Sequence, residues 1–230
     1  MLRAVRGLVM RATATIFGVL SAIRGARIFH PKGAAFEATV EIEPTGPAYG
    51  VPLLDTRAAH PAVVRLSRGA GLPEPAPDIL GVAIRLTDVH GAALHQDLLL
   101  ASSRERPGVR HLMVPAPGFA GHLFSSILLY RVGDQQLLIG ARTPAGAVHT
   151  IDEATAAAEA GDLRFELLVA PVFGRWRRVG TVSVRHRLPQ AASEALRFNP
   201  WNTGGGIMPA GPLQRLRRAA YPASQAARPT

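Results

Sequence analysis

Nine short runs of this chain are strand-like and stop at glycine, proline or a polar turn. FEATVEIE at 36–43 is the plainest: a period of two puts Phe36, Ala38, Val40 and Ile42 on one face and Glu37, Thr39 and Glu41 on the other. AVVRLS (62–67), GVAIRLTD (81–88), QDLLLAS (96–102), RHLMV (110–114), ILLYRVG (127–133), QLLIGAR (136–142), LRFELLVA (163–170) and VGTVSVRH (179–186) follow it. Gly133-Asp134 predicts a hairpin turn, and IDEATAAAEA at 151–160 predicts a helix opening on acidic residues that suit the positive end of its dipole. Many short strands with glycine- and proline-rich turns predict an α+β chain: a closed antiparallel β-barrel of about eight strands with additional helices, one of them C-terminal. RFNPWNTGGGIMPAG at 197–211 reads as a long ordered connection to that last helix, with Phe198, Trp201 and Ile207 as apolar anchors.

With 230 residues, 47% of them hydrophobic and 18% charged, the chain has the composition of a globular domain. Its formal charge of +10 would suit an anionic partner, but Lys32 is the one lysine and the arginines are scattered without a long block. Aromatic residues that could stack on bases are sparse between them, so no nucleic-acid partner is expected. The absence of cysteine excludes disulfides, thiolate metal sites and cysteine nucleophiles. Residues 1–26 are basic and apolar, but Arg11 interrupts them before a membrane-spanning length of about 18 residues is reached. They read as an amphipathic helix or arm, packed on the domain or touching a membrane surface, ahead of one domain at 27–230. A soluble, cytoplasmic protein is the expectation, with a homodimer left open.

No nucleophile elbow, P-loop, dinucleotide fingerprint or i, i+4 histidine pair occurs, and GGG at 204–206 lacks the lysine of a phosphate cradle. His60, His90, His95, His111, His122, His149 and His186 stand in isolation and read as surface or satisfied residues. RRAAYPASQAAR at 217–228 is different. At about 100° per residue, Arg217 and Arg228 lie within roughly 40° of Tyr221 on a helix. Such a face is either a solvated basic stripe or a site that wants a phenolate.

RIFHPKGAAFEATVEIE, AVVRLSRGAG, PDILGVAIRL with QDLLLASS, VGTVSVRHRLP, RFNPWNTGGGIMP and RRAAYPASQAAR occur in this order. Together, from about residue 27 to the end, they resemble the haem-binding core of the catalase family. The resemblance implies haem, of the b type, with Tyr221 on a proximal helix as the axial iron ligand and Arg217 as its partner. A phenol with a pKa of about 10 needs roughly 4 kcal/mol to stay ionised at neutral pH, which ferric iron and a neighbouring guanidinium can provide. His30 matches the distal histidine, whose imidazole can take a proton from one peroxide oxygen and return it to the other. Ser67 matches the serine that fixes that ring and its tautomer, and Arg27, Arg65 and Arg228 match positions that pair the haem propionates.

Three departures bear on activity. Where the family has a peroxide-binding asparagine, this chain has Ser102, or Ala101 if the register slips by one. Phe29 stands before the distal histidine in place of a smaller residue, next to the ring, and RERPG replaces paired phenylalanines. The chain is also about half the usual length. A more open pocket implies a haem peroxidase in which a hydroperoxide oxidises ferric haem to an oxyferryl species and an organic donor returns the electrons. Catalase activity, a fatty-acid hydroperoxide isomerase or lyase, and a non-enzymatic haem-binding or sensing protein are the alternatives. His30 with Ser67 is the pair that a sensor would not need.

Overall fold

The alternating runs become strands. β1 (Gly33–Ile42), β2 (Ala58–Arg68), β3 (Leu80–Leu86) and β4 (Gln96–Ser103) form an antiparallel meander. Between β1 and β2 lies a single helical turn, α1 (Pro52–Asp55). β5 (Leu123–Ser125), β6 (Tyr130–Val132), β7 (Gln135–Arg142), β8 (Arg164–Pro171) and β9 (Arg177–Arg187) follow, with α2 (Ile151–Ala160) between β7 and β8. After β9 come α3 (Gln190–Ala195) and β10 (Ile207–Pro209). The computed structural model describes residues 33–69, 71–74, 76–144, 146 and 148–211. The predicted arm at 1–26, Arg27, Phe29, His30, Arg217, Tyr221, Arg228 and the C-terminal helix lie outside those residues.

Hydrogen bonding runs β7-β5-β4-β3-β2-β1-β9-β8 and returns from β8 to β7. Eight antiparallel strands thus close on themselves, which removes the exposed sheet edges that invite aggregation. β6 and β10 extend the sheet from one end of β7. Phe36, Val40, Val64, Leu66, Val82, Ile84, Leu98, Ile139, Phe165 and Val182 are among the residues that fill the interior. Phe124 stands 6.2 Å from both Phe119 and Phe165, stacked on the first and edge-on to the second.

Local signals explain the connections. Gly133, with φ of +56°, supplies the left-handed residue of the β6–β7 hairpin. α2 starts on a capping box between Thr150 and Glu153, stops at Gly161 (φ +81°) and buries Ala154 and Ala158. RHLMV forms no strand: Val109–His111 is one 3-10 turn, because the buried Arg110 side chain binds carbonyls of two loops. ILLYRVG contributes only Tyr130–Val132, and the three-residue strands β5 and β10 carry no readable period.

Candidate functional site

Strand register sets the residues of the barrel in rows. One row runs Gly33, Ser67, Gly81, Ala101, Ser125 and Gly140 across β1, β2, β3, β4, β5 and β7. These positions are one residue out of phase with the core residues Leu66, Val82, Leu100, Phe124 and Ile139, so they face away from the interior. No member is larger than serine. At about 4.8 Å per strand, the four members from Gly33 to Ala101 span about 14 Å of outer surface.

Two glycines make this platform tight. A Cβ on Gly33 would stand 3.2 Å from Arg65 Nη2 and 2.8 Å from Leu66 O; one on Gly81 would stand 2.6 Å from Ser67 Oγ. Arg65 and Ser67, two residues apart on β2, therefore share the outward face and press close to their neighbours. Arg65 Nη1 donates to Ser193 O of α3 at 2.9 Å. Ser67 is 6% exposed, and the one hydrogen bond of its hydroxyl among the described residues is a long 3.4 Å donation to Gly81 O. Its lone pairs remain open to an incoming N–H. The row ends under Trp176, whose ring lies 2.7 Å from where a Cβ of Gly140 would be. Arg110 stacks on that indole at 5.2 Å.

Ser102 sits elsewhere. It faces inward and is fully buried, and its hydroxyl donates to Val114 O at 2.6 Å and accepts from Leu80 N at 3.0 Å. Ala101, the alternative register, is the β4 residue on the outward row. The structure thus brings Arg65, Ser67 and Ala101 onto one face and leaves Ser102 on the other.

Two features of this face escape the sequence reading. Asp97, fully buried on the outer side of β4, accepts Arg85 Nε and Nη2 at 2.7 Å each, Asn199 N at 2.8 Å and Asn202 Nδ2 at 3.0 Å. The guanidinium of Arg85 lies 5.0 Å from the Phe198 ring centre. This cluster fastens the 197–211 connection to the barrel, and Gly204 and Gly205 pack on the His90 ring, where either would carry a Cβ at 2.9 Å. Ile127, just after β5, holds a left-handed φ of +61° although β-branched, a strain of about 1–3 kcal/mol. Ser125 Oγ accepts from its N–H at 3.1 Å, and His111 Nδ1 lies 2.8 Å from its carbonyl. No sequence signal marks Ile127, whereas an aspartate inside a strand is a flag for a buried partner.

Burial holds the imidazoles of His60 and His122 below their ordinary pKa, with Arg104 and His149 adding repulsion at His122. Burial likewise raises the Tyr49 phenol, against the opposing pull of Arg177. Tyr49 and Arg177 line a shallow pocket of about 70 Å³ at the far end of β1 from Gly33. Asp55 in that pocket already caps Tyr49 N and Val51 N, so it offers no free base. Among the described residues no group of three or more histidine or carboxylate side chains could hold a metal ion, and no helix is long and apolar enough to cross a membrane.

Solved structures share this architecture. A bacterial catalase superposes with a TM-score of 0.61 at 13% identity, over 92% of this chain and 60% of that one. The fold is catalase-like. A fungal catalase gives 0.59 at 16% identity, over 91% of this chain and 61% of its own. The chain therefore spans about three fifths of the length of these catalases. No family model and no curated protein matches the sequence. On this catalase-like barrel the outward row provides a flat, small-residue seat, glycines set where a Cβ would intrude, and a guanidinium suited to a carboxylate. Those residues fit a planar macrocycle bearing propionates.

Proposed function

We propose that the chain is a haem-dependent peroxidase that reduces hydrogen peroxide or an organic hydroperoxide with electrons from an external organic donor. The observation that carries this reading is the outward small-residue row with Arg65 and Ser67 pressed against it, on a catalase-like barrel. Arg65, Arg27 and Arg228 would pair the propionates, and Tyr221 would hold the iron through an anionic oxygen that Arg217 would stabilise by a charge-assisted hydrogen bond. Phe29, next to His30 in sequence, would reshape access to the iron. Bound haem supplies the electrons that cleave a peroxide O–O bond.

His30 precedes Gly33 by three residues, so the chain holds it within about 11 Å of the Gly33–Ser67 pair. Its neutral imidazole takes the proton of the attacking peroxide oxygen and delivers it to the departing one. Ser67 accepts the second imidazole N–H, which keeps the basic nitrogen towards the peroxide. β4 presents Ala101 to this face, Ser102 is engaged inside, and the Ser103 hydroxyl is committed to Arg110 O and Leu112 O, so no side-chain hydroxyl or amide of β4 is free to bind a second peroxide. That favours an external donor over dismutation.

The test is the full chain expressed with haem supplied, followed by its visible spectrum and its reaction with peroxide and a donor dye. Tyr221→Phe is expected to lose most of the bound haem, whereas His30→Ala retains it and loses the reaction with peroxide. Equal haem loss in both variants, or no haem uptake by the parent chain, would overturn the proposal.

A further inference from the structure

A second surface lies at the β8–β9 hairpin and is independent of the haem reading. Pro171–Gly174 is a tight turn closed by Gly174 N to Pro171 O at 3.2 Å, and Phe173 at its corner is 81% exposed. A large aromatic ring in water at a protruding turn loses the hydrophobic stabilisation it would gain on burial. The turn is also held rigid. Arg110, 2% exposed, donates to Pro171 O at 3.1 Å, Gly174 O at 2.9 Å and Glu105 O at 2.8 Å, and stacks on Trp176. One buried guanidinium thus ties the hairpin to the 104–110 loop.

That loop brings charge and a second apolar residue. Arg104, Arg106 and Arg175 are exposed and form no ion pair among the described residues, and Val109 is 37% exposed. The nearby acids are already engaged: Arg142 pairs Glu105 and Glu166, and Arg178 pairs Glu43. What remains is an exposed phenyl ring amid uncompensated guanidiniums, on a chain of net charge +10. A protein partner would be met by a groove or flat patch. A single exposed ring on a turn, with unpaired arginines on the same hairpin and on the loop tied to it, instead suits a surface that is soft, apolar beneath and anionic above.

We propose that this tip docks the protein on anionic lipid, with Phe173 entering the interface and Arg104, Arg106 and Arg175 meeting the headgroups. The experiment is co-sedimentation of the full chain with vesicles of mixed phosphatidylcholine and phosphatidylserine, and with phosphatidylcholine alone. Binding is expected to the mixed vesicles, to weaken about tenfold or more in Phe173→Ala, and to weaken about fivefold for each arginine changed to glutamine. A Phe173→Trp variant should show a blue-shifted emission with the mixed vesicles only. Because Phe173 is exposed, melting temperatures should match the parent. The proposal fails if the parent chain ignores mixed vesicles, or if Phe173→Ala and the triple glutamine variant bind like the parent. It fails too if Phe173→Ala instead converts a dimer to a monomer on gel filtration, which would give the surface to a second copy of the chain.

Discussion

Replacing Asp97 with alanine probes the device that fastens the 197–211 connection to the barrel. The carboxylate is fully buried and Arg85 is 14% exposed, so the substitution strands a mostly desolvated guanidinium and removes the acceptor for Asn199 N and Asn202 Nδ2. Breaking a buried pair from one side costs about 3–5 kcal/mol. For a domain of this size each kcal/mol shifts the melting temperature by about 2–4 °C, so thermal unfolding followed by circular dichroism should show a fall of roughly 6–20 °C. The double variant Arg85→Met/Asp97→Leu removes both charges and should recover part of that loss, since no unpaired charge stays behind. Under the proposed function, Asp97→Ala also lowers haem retention, because the connection leads to Tyr221. A melting temperature within about 2 °C of the parent, or a double variant less stable than the single one, would refute the reasoning.

Acid should destabilise the fold through His60 and His122. Both have folded-state pKa values below the unfolded value of about 6.5, so between the two values the unfolded chain binds more protons, and stability falls as pH falls through that window. Melting temperature should therefore drop on acidification from about pH 7 to 5, and His122→Gln should flatten the slope; identical slopes would count against the assignment. Gly81→Ala places a methyl 2.6 Å from Ser67 Oγ and forces that hydroxyl to turn. The entropic gain of about 0.4–1 kcal/mol offsets a rotamer strain of similar size, so stability should change little while the peroxide rate falls; an unchanged rate would remove Ser67 from the site.

Strands such as β1 and β3 were legible because alternation persists long enough to set a phase. β6 was read within ILLYRVG and its Gly133-Asp134 turn, only longer than it is, whereas β5 and β10, three residues each, are too short to carry a period. Arg65 and Ser67 could be read as sharing a face, since their spacing is two and no pairing is needed to know it. Ser102 could not be oriented, because three consecutive leucines in QDLLLASS hide the phase and only the pairing of Gly81 with Ala101 fixes it. RHLMV resembles a strand by its apolar residues, but the Arg110 guanidinium is buried on loop carbonyls and holds the segment in a turn. Asp97 was seen only as part of a strand, its partners Asn199 and Asn202 lying over a hundred residues away.

The barrel's own packing decides where a cofactor-sized ligand can sit. Eight strands enclose just enough space for side chains, and here the void lined by Ile42, Leu86, Leu98, Ile139, Leu167 and Val169 measures about 20 Å³. A macrocycle would have to displace several leucines, each removal costing about 2–5 kcal/mol. The outer face imposes no such cost. There the row is glycine, alanine and serine, whose small side chains leave room for a covering group. Asp97 lies four residues before Ala101 on the same strand, so the clamp that anchors the carboxyl-terminal connection stands about 13 Å from the seat. One strand therefore carries both the small-residue row and the fastening of the segment that continues towards Tyr221, so under the proposed function loss of Asp97 lowers both stability and haem retention.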